Sequence, residues 1–177
     1  MQNTTQLGNP STSSLKIPQF KVGDKAVYPA YGVGVIKRIE SREIAGNSQD
    51  FYVMQILATG VTVMVPTSAA AAGMRRLIAE TDVSSVYSIL KSPGHISKTT
   101  WNRRFREFKD KLRTGSVRDV AEVLRDLNTL RTDKSLSFSE KEMMDKAKEM
   151  IVTEISAARA TDHSSVEAEV NKILLLN

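Results

Sequence analysis

The rhythm of apolar and polar positions changes once along this chain, close to Pro66. From Phe20 to Pro66, short β-branched and aromatic runs are separated by turn residues, which is the grammar of a β region. Lys25 to Tyr28 reads as a strand closed by Pro29. A longer strand runs from Val33 to Ile44, with Val33, Val35 and Ile39 pointing one way and Gly46-Asn47 as its punctuation. Phe51 to Leu57 and Val61 to Val65 follow, separated by Thr59-Gly60, a hairpin-length break. In the last strand, alternation places Val63 and Val65 on one face and Met64 on the other. So many short strands in so little chain predict a small, strongly bent sheet or barrel. Gly32 and Gly34 read as bend or bulge glycines within it. They make a poor nucleotide loop, because no helix, third glycine or Lys-Ser/Thr pair follows.

Past Pro66 the period lengthens to that of helices. Ser68 to Gly73 reads as an alanine-rich turn or short helix, and Val83 to Lys91 is helical up to the breaker Pro93-Gly94. Trp101, Phe105, Phe108 and Leu112 form one stripe, in a helix capped by Thr100 and ended by Gly115. Ser116, with Asp119 three residues on, opens a helix to about Leu130, striped by Val117, Val120, Ala121, Leu124 and Leu127. Ser137-Phe-Ser-Glu140 is a capping box at the head of a long helix to about Ala160. Ser164-Ser-Val-Glu167 repeats the device for a final helix ending near Leu175. Four amphipathic helices with short connections predict a compact bundle. The fold class is therefore α+β in two modules, a small β-barrel and then an all-α bundle. The boundaries are a disordered polar tail over 1–17, the β module over 18–80 and the helical module over 81–177.

Charge changes the picture only through its placement. The net charge of +5 is mild, but Lys98 to Arg118 carries eight bases against two acids. From Asp119 to the end, eight bases face twelve acids. A basic block beside an acidic remainder suits a phosphate-facing surface, and equally suits a solvated helix of lopsided charge. No apolar run reaches the roughly 18 residues of a membrane helix. The N-terminus lacks the regions of a secretory signal, and there is no cysteine. These features lead us to expect a cytoplasmic chain with no membrane partner.

Catalysis finds little to work with. The two histidines, His95 and His163, fall in connecting segments without acidic neighbours at ligand spacing. Glu140 and Glu142 stand two residues apart on a helix and face away from each other. We expect no enzyme, metal, cofactor or small-molecule substrate.

The β region opens with Phe20-Lys-Val-Gly-Asp-Lys-Ala-Val-Tyr-Pro-Ala-Tyr-Gly-Val-Gly-Val35, which resembles the opening of the CarD/CdnL family of bacterial transcription regulators. Further matches follow in order: Phe51-Tyr-Val53, Val63-Met-Val-Pro66, Thr100-Trp-Asn-Arg-Arg-Phe-Arg-Glu107, Val120-Ala-Glu-Val-Leu-Arg-Asp-Leu127 and Leu136-Ser-Phe-Ser-Glu-Lys141. The resemblance implies a Tudor-like module that docks on the RNA polymerase β subunit, and a helical module that meets promoter DNA at the upstream edge of the bubble. On the polymerase side it points to Arg42, Val63, Met64 and Pro66. Some members carry Arg where Met64 stands, which makes the contact here apolar rather than ionic. On the DNA side it points to Trp101 as a minor-groove wedge, with Arg103, Arg104, Arg106 and Lys141 as cationic contacts. The spacing of Trp101 with Phe105, Phe108 and Leu112 suits a core anchor as well, so both roles stay open. The implied protein is a monomer that reaches the nucleoid through polymerase. A general architectural DNA-binding protein and a protein–protein adaptor are the rival functions.

Overall fold

The computed structural model describes residues 20–29, 31–68, 73–95 and 100–176. The expected disordered tail and most of the alanine-rich segment lie outside these residues.

Four antiparallel strands come first: β1 (Lys25–Tyr28), β2 (Gly32–Ile44), β3 (Asn47–Ile56) and β4 (Thr62–Pro66), paired in that order. The sheet curls into half a barrel, so β1 and β4 remain its two edges. Arg75 covers the β1 edge, since the Val27 N–H donates to its carbonyl at 2.8 Å and its own N–H donates to the Val27 carbonyl at 3.0 Å. Among the described residues, β4 is the edge without a strand partner.

The β2–β3 hairpin turns through Ala45 and Gly46, at φ 50° and 80°, the two left-handed positions of a tight hairpin. Gly32 also has positive φ, 84°, where the chain enters β2. Gly34 is neither bend nor bulge: it sits in regular pairing, and a Cβ there would lie 2.6 Å from the Met54 Cγ and 2.9 Å from the Gln55 carbonyl. The bulge falls instead at Lys37, between the pairs Ile36–Met54 and Arg38–Val53. That extra residue moves Ile39 onto the face of Ile36, opposite the Val33 and Val35 face expected for it. Ile36, Tyr52, Met54 and Val65 then line one face and, with Phe20, Ala26, Ile56 and Met74, bury the β core.

A 3₁₀ turn (Glu80–Asp82) leads into five helices: α1 (Val83–Lys91), α2 (Trp101–Arg113), α3 (Val117–Asp133), α4 (Phe138–Arg159) and α5 (His163–Leu175). Helix α3 is the axis of the bundle. Its Ala121, Leu124 and Leu127 are fully buried, in one cluster with Leu90 of α1, Ile151 and Ile155 of α4, and Val170 of α5. Helix α1 thus joins the four helices expected of the bundle. Ser116 accepts from the Asp119 N–H, and Ser137 with Glu140 closes the expected capping box. Two caps differ from expectation. The Thr100 side chain makes no cap bond to α2. Asp162 caps α5 by accepting from the Ser165 N–H at 3.0 Å, so this helix starts ahead of the expected Ser164. A carboxylate both accepts the bond and meets the positive helix end with charge, which favours it over a hydroxyl two residues on.

Candidate functional site

Two surfaces gather the residues singled out above. On the sheet, register decides which of them cooperate. Pairing aligns Met64 with Val53 and Arg38, Pro66 with Phe51 and Glu40, and Gln49 with Arg42. Met64, Pro66 and Arg42 therefore share the face opposite the β core, beside the β4 edge. Val63 points the other way and packs against the β core. Arg42 does not stand alone. Glu40 accepts from the Arg42 Nε at 2.6 Å and from the Arg38 Nε at 2.9 Å. The bonds from Arg42 and then Arg38 hold the Glu40 carboxyl below its ordinary pKa. The outcome is a ladder of alternating charge with one net positive charge next to an apolar pair. Arg38 was legible only as the i−4 member of the alternation Arg38-Ile-Glu-Ser-Arg42.

The second surface is the first turn of α2. Trp101 is half-buried, with its ring 5.2 Å from Phe105 at 54° and the Arg104 guanidinium 5.9 Å from its centroid. Phe108 and Leu112 supply the buried anchors of this helix, two and three turns on, and Phe105 packs at the edge of the core. Trp101 lies beyond that edge. Arg103 is exposed and bonded to Glu107 at 3.1 Å across one turn, and Arg106 is exposed beside it. An exposed i,i+4 pair of this kind contributes about 0.3–0.5 kcal/mol, too little to withhold Arg103 from a phosphate.

The structure brings Trp101, Arg103, Arg104 and Arg106 onto one stretch of helix and sets Lys141 apart. Between α2 and α4 runs a groove of about 620 Å³ whose walls include Phe105, Lys109, Arg113, Glu142 and Lys146. Lys141 lines a different groove of about 660 Å³ on the other side of α4, with Arg131, Lys148, Leu136 and Leu174. Lys109 and Arg113 belonged to the basic block in the sequence without a role of their own. Among the described residues, no three potential ligands gather to hold a metal, and no helix is long and apolar enough to cross a membrane.

Comparison with known proteins bears on both surfaces. Residues 20–78 match the family described as "CarD-like/TRCF RID domain", and residues 85–171 match "CarD, C-terminal domain". A Bacillus subtilis (strain 168) relative, YdeB, described as a candidate transcription factor, is 32% identical over 152 residues. That match spans 84% of this chain and 98% of the relative. The solved structure "CdnLNt from Myxoccoccus xanthus" is 44% identical, covering 41% of this chain and 94% of that one, at a TM-score of 0.30.

Proposed function

This chain belongs to the CarD/CdnL family of transcription regulators, and on that premise we propose that it docks on the RNA polymerase β subunit and stabilises open promoter complexes. Docking uses the open β4 edge, where backbone groups add to a partner's sheet. Met64 and Pro66 supply apolar contact beside that edge, and Arg42 supplies direction. Once docked, α2 meets DNA at the upstream edge of the bubble. Trp101 fills the gap between partly unstacked base pairs, while Arg103 and Arg106 neutralise phosphates on either side. A residue that fits melted DNA better than closed duplex shifts the equilibrium toward melted.

The observation that carries this reading is the placement of Trp101. The chain's single tryptophan lies outside the buried core, at the head of a helix that carries Arg103, Arg104 and Arg106 in its first two turns. The start of α2, to which the Thr100 side chain makes no cap bond, adds backbone N–H groups and the positive helix end to that surface, both favourable for phosphate. The test is the lifetime of open complexes formed by polymerase on a promoter, with and without the full chain, beside a direct measurement of polymerase binding. Longer lifetimes and saturable binding are expected. A chain that leaves lifetimes unchanged, or that binds DNA tightly without polymerase, overturns the proposal.

A further inference from the structure

Two apolar cores lie side by side: one gathers buried residues from the β half through Met74, the other buried residues from Val83 onward with Ile78 packed against it. What crosses between them is part apolar, with Val27, Val117, Met150 and Ile151 lining one small void, and part polar. Arg75, whose backbone is bonded to β1, sends its side chain into the helical half. Its Nη1 and Nη2 donate to the two carboxylate oxygens of Glu154 at 2.5 and 2.9 Å, and its Nε donates to the Gly115 carbonyl at 2.7 Å. Glu154, on α4, is 4% exposed and also accepts from the Ile78 N–H at 3.0 Å. Gly115 comes just after Thr114, the C-cap of α2, so this one guanidinium grips both the long helix and the segment that ends the basic one. Around it glycines of each half pack against side chains of the other. A Cβ on Gly115, at φ 75°, would stand 3.2 Å from Pro29, and one on Gly32 would stand 3.9 Å from Met150.

We infer that Arg75 and Glu154 are positioning residues: their forked pair sets α2, and Trp101 with it, at a fixed distance and direction from the docking face of the sheet. The inference rests on the function proposed above for its consequence, but the brace itself does not. Apolar contact alone is non-directional, and small seams between units permit relative motion. A planar guanidinium bonded through both arms to a carboxylate fixes direction as well as distance. The third arm, on Gly115, ties that direction to α2. Sheet and bundle thereby behave as one ruler, and the wedge falls at one base step when the sheet is docked.

The chain has no cysteine, so Asn47→Cys on the exposed hairpin and Ser84→Cys on the exposed side of α1 accept a specific pair of spin labels. Pulsed-dipolar distance distributions are read for the full chain carrying Glu154→Gln or, separately, Arg75→Lys. Glu154→Gln keeps the acceptor for Ile78 and removes the charge; Arg75→Lys keeps the charge and removes the fork. Arg75 is one-third exposed, so Arg75→Lys keeps the measurement open if Glu154→Gln fails to fold. One narrow distance is expected for the parent, and a broadened or shifted one for each variant. An unchanged distribution in folded variants overturns the brace. In the polymerase assay, the variants should bind polymerase as the parent does and lose the lengthening of open-complex lifetime. Broadened distances with parental lifetimes overturn the positioning role. A parent without effect on lifetimes overturns the proposed function instead, while the distance measurement still stands.

Discussion

Trp101 shows what a sequence period can and cannot decide. Its spacing with Phe105, Phe108 and Leu112 puts it on the core side of α2, yet the core begins only at Phe105 and Phe108, so the same stripe runs off the end of the bundle. Periodicity gives direction around a helix, and says nothing of where the neighbouring helices stop. The position leads to a stability prediction. Trp101 is partly buried and packs its ring on Phe105 at the edge of the core, so Trp101→Ala should cost less than the roughly 3–5 kcal/mol of an emptied core site. Its effect on promoters is a separate loss. Losing a stacked aromatic costs about 1–3 kcal/mol, which corresponds to roughly five- to 150-fold in open-complex lifetime. Melting curves and lifetimes measured on the same variant separate the two roles, and a large drop in melting temperature would return Trp101 to the core. Gly34 makes the opposite case, a residue whose role is wholly steric. Gly34→Ala drives a methyl into Met54 and into the Gln55 carbonyl, and the backbone oxygen cannot swing away. Overpacking of this kind should cost about 1–3 kcal/mol in denaturant unfolding, without touching either surface.

At the scale of elements, the boundaries that were legible are those with a local cause. Ser116 and Ser137 announce α3 and α4 because a cap is written within four residues. The Lys37 bulge was not legible, since it exists only through pairing with β3, and alternation read along β2 alone therefore misplaced Ile39. Nor was the brace, whose partners Arg75 and Glu154 stand 79 positions apart. The cap at α4 supports a pH prediction. Glu140 is 1% exposed, and burial raises its pKa, but the Ser137 N–H and hydroxyl and the Lys134 ammonium outweigh burial and lower it. A carboxyl depressed in the folded state stabilises above its unfolded pKa, ordinarily near 4.5, and loses that contribution as pH falls through the folded value. The stability gap between the parent and Glu140→Gln should therefore be full at neutral pH and shrink in acid below about pH 5; a gap that does not change with pH would show that the charge contributes nothing. The hairpin turn supports a second prediction. Ala45 occupies a left-handed position that costs an L-residue about 1–2 kcal/mol. Ala45→Gly relieves this at some cost in chain entropy, for a net gain of up to about 1 kcal/mol in thermal unfolding.

The whole molecule matters because neither surface is strong alone. The sheet offers one short edge, an apolar pair and a single net positive charge. The helix offers a ring and a few cations, one of them already paired with Glu107. If Arg103, Arg104 and Arg106 each meet a phosphate, the dependence of log affinity on log salt has a slope of about −2.7. Free chain on duplex DNA should then bind at micromolar strength or weaker at physiological salt. Docking changes the arithmetic, because a tethered site meets DNA at an effective concentration approaching millimolar. That gain requires the two surfaces to face their partners at once, and an intact seam at Arg75 and Glu154 holds them so. The expected pattern is therefore weak, steeply salt-dependent binding of the free chain to DNA. Occupancy of the upstream bubble edge on polymerase should persist at salt concentrations where the free chain has let go. Titrations of labelled duplex across a salt series, beside footprints of the polymerase complex at the same salts, measure both. A slope near zero removes the phosphate contacts from the mechanism. Footprints that vanish together with the free-chain binding show that docking on polymerase adds nothing, and with that the division of labour between sheet and helix fails.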